Sequence, residues 1–238
     1  MIYSNSNYNE MIVIREGVEA SICDRSYGSY KGYSMLRREL DYTHATELRA
    51  LVLTQYHSGH ETMIRLCSEN LILRELYLPT PQTGDEAALA KVLWSLAVAE
   101  GTEVIFYEKD ATLELTDSVR ICPIWWTDED HTPLLLSVYS SEGAWTYLSP
   151  GACAISDKSV IRERAAHSHG VIFGNHGFDS KPFYLDLSGE AAPDSVIYTS
   201  NVVAEMSRCW IGDAFAYAYR EEEPYRVSFS FQDQEENS

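Results

Sequence analysis

The run Leu51-Val52-Leu53-Thr54-Gln55-Tyr56-His57-Ser58-Gly59-His60 constrains the fold more than any other stretch: a short apolar strand ends in a loop carrying two histidines three residues apart. An unbroken aliphatic run of this length reads as a buried strand. Imidazoles at the end of such a strand are neutral nitrogen donors of the kind that hold zinc and its neighbours. The next segment, 61–68, carries Met63, Ile64 and Cys67 at helical spacing, so the loop joins a strand to a helix.

Around this point the chain alternates. Strands are predicted at 11–14 and 18–23, turned by Arg15-Glu16-Gly17, and a helix at 34–40 follows a Gly- and Tyr-rich connection. Strand 50–53, helix 61–68, strand 75–78, a helix from Asp85 to Gly101 and strand 103–106 continue an α/β pattern. In the Asp85 helix, Asp85 reads as the cap and Leu89, Val92, Leu93 and Leu96 as the buried stripe. The middle reads as antiparallel strands at 113–115, 119–124, 134–139 and 144–149, with Ser141-Glu142-Gly143 as a hairpin turn. A helix at 156–166, strands at 171–173 and 195–199, a helix at 201–210, and β-rich segments at 215–219 and 226–231 complete the pattern, and the acidic tail 232–238 frays. The fold class expected is α/β (α+β): a four-layer αββα sandwich of two mixed β-sheets with helices on both outer faces. The 238 residues form one domain.

Charge limits the partners. Eighteen Lys and Arg against thirty-six Asp and Glu give a net charge of -18, which repels phosphate backbones and anionic lipid headgroups. Arg37-Arg38 and Arg162 to Arg164 are too small to form a basic patch, so there is no strong nucleic-acid signal. The polar start gives no signal peptide, and the longest apolar stretch, 87–99, is broken by Lys91 and too short to span a bilayer. No basic amphipathic helix offers direct membrane attachment. The expectation is a soluble, cytoplasmic chain. Five scattered cysteines without a C-x-x-C pair suit reduced core thiols.

The order of these features resembles a metallo-β-lactamase-fold domain, and within that superfamily the soluble domain of ComEC-type DNA-internalisation competence proteins. The resemblance runs over most of the chain: 18–24 as the strand ending in Asp24, 48–60 as the strand and histidine loop, 61–79 as the next helix and strand, 145–151 where the family has a strand ending in Thr-Gly-Asp, and 171–177 where it has a His-His-Gly loop. In the family's H-x-H-x-D-H loop, the first two histidines serve one zinc and the aspartate and last histidine serve the other. Here Gln55 stands at the first histidine, Gly59 at the aspartate and Gly151 at the bridging aspartate, leaving His57, His60 and His176 as metal candidates. The resemblance gives Asp24 a part in orienting a ligand histidine; a loop cap explains it equally well.

Two functions follow from that resemblance. The first is a pseudo-hydrolase with no metal, surviving as a binding or accessory module. The alternative is a mononuclear hydrolase with one zinc or manganese on His57, His60 and His176, acting on a phosphodiester such as single-stranded DNA. A membrane DNA-uptake channel subunit is the partner the resemblance suggests; as a fragment of such a protein the chain would be membrane-associated or extracytoplasmic. Structural readings stand beside the other chemical-looking residues. His167 and His169 fall at a helix end, Glu61 in a helix first turn, and Asp128 to His131 in an acidic turn. Tyr27, Tyr30 and Tyr33 either line the site edge and stack on a base or half-bury in the fold.

Overall fold

The computed structural model describes residues 2–5, 9–16, 19–24, 33, 34, 37, 40, 41, 44–108, 111–117, 119–124, 135–140, 143–148, 170–173, 183–186, 195–198, 207–210 and 216–218. The first sheet holds β1 (Ile2–Asn5), β2 (Asn9–Glu16), β3 (Glu19–Asp24), β4 (Glu47–Leu53), β5 (Ile72–Pro79) and β6 (Glu103–Tyr107), in spatial order from β1 to β6. β1, β2 and β3 pair antiparallel; β3 to β6 run parallel, with helices Gly59–Asn70 and Gly84–Ala99 crossing between β4, β5 and β6. Among the residues expected at 34–40, the described Ser34, Arg37 and Leu40 are helical.

The second sheet contains β7 (Leu113–Glu114), β8 (Val119–Ile124), β9 (Leu135–Ser140), β10 (Gly143–Leu148), β11 (Gly170–Phe173), β13 (Ser195–Tyr198) and β15 (Ala216–Ala218), ordered β15-β13-β11-β10-β9-β8-β7. Its first four strands form an antiparallel meander; β10, β11, β13 and β15 are parallel. β12 (Phe183–Asp186) and β14 (Ser207–Trp210) form a separate parallel pair.

The strand before the histidine loop shows why its sequence is so apolar. Leu48, Leu51 and Leu53 enter one buried cluster with Met63, Ile64, Cys67 and Leu93 of the helices, while Ala50 and Val52 enter another with Leu113, Leu115 and Ile121 beside the second sheet. A strand covered on both faces has no polar face to show. Leu48 and Ala50 would share a face by simple alternation, but the register with β3 slips between Ala20 and Ser21, and this bulge turns Ala50 the other way. Cys23, Cys67 and Cys122 are buried and unbridged, as reduced core thiols should be.

The described residues thus stack helices, sheet and sheet in an α/β fold built on two mixed sheets. The helix expected at 156–166, the segment 226–231 and the tail lie outside them.

Several expectations are corrected. Thr83, not Asp85, caps the Gly84–Ala99 helix: its side chain accepts from the Glu86 N–H, and the Glu86 carboxylate accepts from the Thr83 N–H. The buried stripe is Ala90, Leu93 and Ala97; Leu89 and Leu96 are half-buried and Val92 is exposed. This helix is apolar almost all round, so periodicity could not select the inward face. Residues 207–210, expected at the end of a helix, form β14 because β12 supplies a partner for their backbone. β1 and β12 were not expected; among the described residues the polar β1 is an edge strand paired with β2 alone.

Candidate functional site

The histidine loop leaves the carboxyl end of β4, where ligand sites of parallel α/β sheets gather. Thr54 and Gln55 are buried as the chain turns out of the strand. Three backbone positions hold the exit in place. The Tyr107 hydroxyl donates to the Leu53 carbonyl at 2.7 Å, the Tyr56 hydroxyl donates to the Pro79 carbonyl, and the Thr80 N–H donates to the Tyr107 carbonyl at 2.7 Å. The ends of β4, β5 and β6 are thereby tied together. Burial pushes both phenols above their usual range: for Tyr107, Cys23 and Tyr56 add to it, and for Tyr56 the Glu86 carboxylate does. They act as neutral donors.

Beyond Tyr56 the chain enters the Gly59–Asn70 helix, whose cap residue Ser58 makes no side-chain capping bond. His57 takes over that task, while His60 folds back onto the loop before the helix. The Gly59 N–H donates to His57 Nδ1 at 3.1 Å, and the His57 N–H donates to His60 Nδ1 at 3.2 Å. The rings meet edge to face with centroids 6.3 Å apart, and His60 is wholly buried beside Met63 and Ile64 in the helix. An opening helical turn leaves N–H groups without intrahelical partners, and an imidazole nitrogen is an adequate acceptor for one of them.

This arrangement bears directly on metal binding. Because the donors are backbone amides, each Nδ1 must be the acceptor, and a neutral imidazole then keeps its proton on Nε2. The bonds alone would not hold a ring against zinc, since each is about 1 kcal/mol net and a complete structural zinc site contributes about 10 kcal/mol or more. Among the described residues no group of three or more His, Cys, Asp or Glu could hold an ion.

The other candidates are placed by backbone alone or not at all. Asp24 ends β3 in register with Leu53, so it stands at the same sheet edge as the loop. His176 and Gly151 lie outside the described residues, as do Tyr27, Tyr30, His167, His169 and Asp128 to His131. The strands before His176 and Gly151 end side by side, Leu148 opposite Phe173. Glu61 is in the first helical turn and pairs with Arg65 at 3.1 Å, a solvated helix pair. Tyr33 is a core residue, 7% exposed and packed in the helix-side cluster, which removes it as a stacking platform. Tyr56 and Tyr107 went unnoticed in the sequence because nothing local marks a tyrosine that bonds to a distant strand end.

No family model matches the chain, and no curated protein does. Solved structures do match. Human tRNase Z, short form (ELAC1), superimposes with a TM-score of 0.51 at 10% identity, over 90% of this chain and 93% of that one. Zn(2+)-bound PqqB from Methylobacterium extorquens gives 0.50 at 14% identity, over 76% of this chain. The fold is that of the metallo-β-lactamases. The chain spans 64% of the length of PqqB, and at these identities the likeness establishes the fold alone.

Proposed function

We propose that this metallo-β-lactamase-fold chain is a pseudo-hydrolase, kept as a binding or accessory module of the ComEC type. The observation that carries the reading is that the His57 ring accepts from Gly59 at the start of the helix and the His60 ring accepts from the loop amide of His57. A loop that once presented ligands now caps its own helix, and a buried Gln55 occupies the position of the first ligand. Two of four loop ligands are replaced, and Gly151 replaces the bridging carboxylate. The partner the reading suggests is a membrane DNA-uptake subunit; among the described residues no helix is long and apolar enough to cross a membrane.

The test is metal content by mass spectrometry on protein purified without chelators, with hydrolysis of a chromogenic phosphodiester measured on the same sample. Metal at background and no turnover are expected. About one zinc or manganese per chain, lost in both His57→Ala and His176→Ala together with metal-dependent turnover, would replace this reading by a mononuclear hydrolase acting on single-stranded DNA.

A further inference from the structure

The thirteen residues from Ala87 to Ala99 contain a single charge, Lys91, in a chain with thirty-six acidic residues. The helix they form buries Ala90, Leu93 and Ala97 against the sheet. Trp94 and Val98, four residues apart and so on one side of this helix, are apolar yet open to solvent, exposed by 45% and 46%. A solvated helix face normally carries charges. The helix packs on β6, and there Phe106, 45% exposed, shares the helix-side face with Val104 two residues earlier and carries the apolar surface toward the last strand of the sheet. Exposed apolar groups gathered on one face and rimmed by polar residues mark interaction sites.

The charges around this face select the occupant. Asp85 stands exposed at one end of the helix, and Glu100 and Glu103 are exposed at the other. In an antiparallel pair of two copies, Asp85 of each would meet Glu100 and Glu103 of the other. In a parallel pair, Lys91 would stack on Lys91 and Asp85 on Asp85. Each copy also carries -18. Self-association therefore sets like charges together in either arrangement.

We propose that the exposed face of the Gly84–Ala99 helix, extended by Phe106, docks an amphipathic helix of another protein whose apolar stripe is flanked by lysine and arginine. The stripe covers Trp94 and Val98, the basic flanks meet Asp85, Glu100 and Glu103, and one acidic residue answers Lys91. The proposal deepens the binding-module reading but rests on none of its histidines, so it stands or falls separately from the metal measurement.

The probe is a labelled designed peptide matched in length to the helix, with a leucine stripe flanked by lysines; its twin has glutamates in place of the lysines. Binding to the full chain is read by fluorescence anisotropy. The lysine peptide is expected to bind and the glutamate peptide not to. Trp94→Ser with Val98→Ser should weaken binding by about tenfold or more, as for loss of an apolar anchor. Glu100→Lys with Glu103→Lys should weaken it and flatten its salt dependence. All four positions are exposed, so circular dichroism and thermal midpoints should match the parent. If the serine variant bound the lysine peptide as well as the parent does, the attraction would be general charge and the docking face would be wrong. A dimer by light scattering that Trp94→Ser dissolves would assign the face to a second copy and overturn the proposal equally.

Discussion

At the scale of single residues, the two loop histidines carry structural work that their spacing alone does not reveal. His60 is wholly buried and accepts the His57 N–H, whereas His57 is half-buried and accepts from Gly59. Removing the His60 ring empties core volume and orphans an amide, so His60→Ala should cost about 2–4 kcal/mol. His57→Ala should cost about 1 kcal/mol, the scale of a lost helix cap. Equilibrium urea unfolding compares them, and an equal or larger loss at His57 would contradict the capping account. Tyr77 supplies a pH signature. Burial, then its hydrogen bond to Glu75 at 3.0 Å, pushes its phenol up to about 12. A phenol raised on folding stays protonated in the native state while the unfolded chain ionises, so its contribution is complete below about pH 10 and is lost as pH rises from there toward 12. Tyr77→Phe should flatten the fall of stability in that window, read as the urea midpoint against pH.

At the scale of elements, the helix ends give sharper tests than the helix bodies. The reciprocal bonds of Thr83 and Glu86 predict that Thr83→Ala costs about 1 kcal/mol. Asp85→Ala, which removes only a favourable charge from the first turn, should cost a few tenths, roughly 0.3–0.5 kcal/mol. The reverse order in denaturant unfolding would restore Asp85 as the cap. At the other end, Gly101 adopts a φ of 80° with open space around its missing side chain. Gly101→Ala would therefore meet no neighbour and pay only for its left-handed backbone, about 1 kcal/mol. The Thr-x-x-Glu pattern at Thr83 to Glu86 was legible from sequence, and it outranks a lone aspartate two residues on. The inward face of the same helix was not legible, because leucine, valine, tryptophan and alanine surround it and only the sheet distinguishes Ala90 and Ala97 from Ala88 and Ala99.

At the scale of the molecule, the core is made by apolar contacts on both faces of the first sheet, and its tie points are hydroxyls and backbone carbonyls. Dialysis against a chelator should leave the thermal midpoint unchanged; a drop restored by zinc would show a metal coupled to folding. The charge of -18 on a chain of this size works against compactness, so added salt should raise the midpoint by screening that repulsion.

The alternation of strands and helices from β4 to β6, the hairpin of β2 and β3, and the meander of β7 to β10 were determined by sequence, because each is written locally in apolar period and turn residues. The same local writing located the histidine loop, with Gln55 and Gly59 beside its two imidazoles. Only tertiary structure decided what the loop does with its histidines. A ring nitrogen has no preference between a metal and an amide until the backbone of Gly59 or His57 is brought within 3.2 Å of it, and that approach depends on how β4 enters its helix. Tertiary structure likewise turned Ser207–Trp210 into a strand and left Trp94 facing water, since pairing and burial belong to neighbours that are distant in the chain.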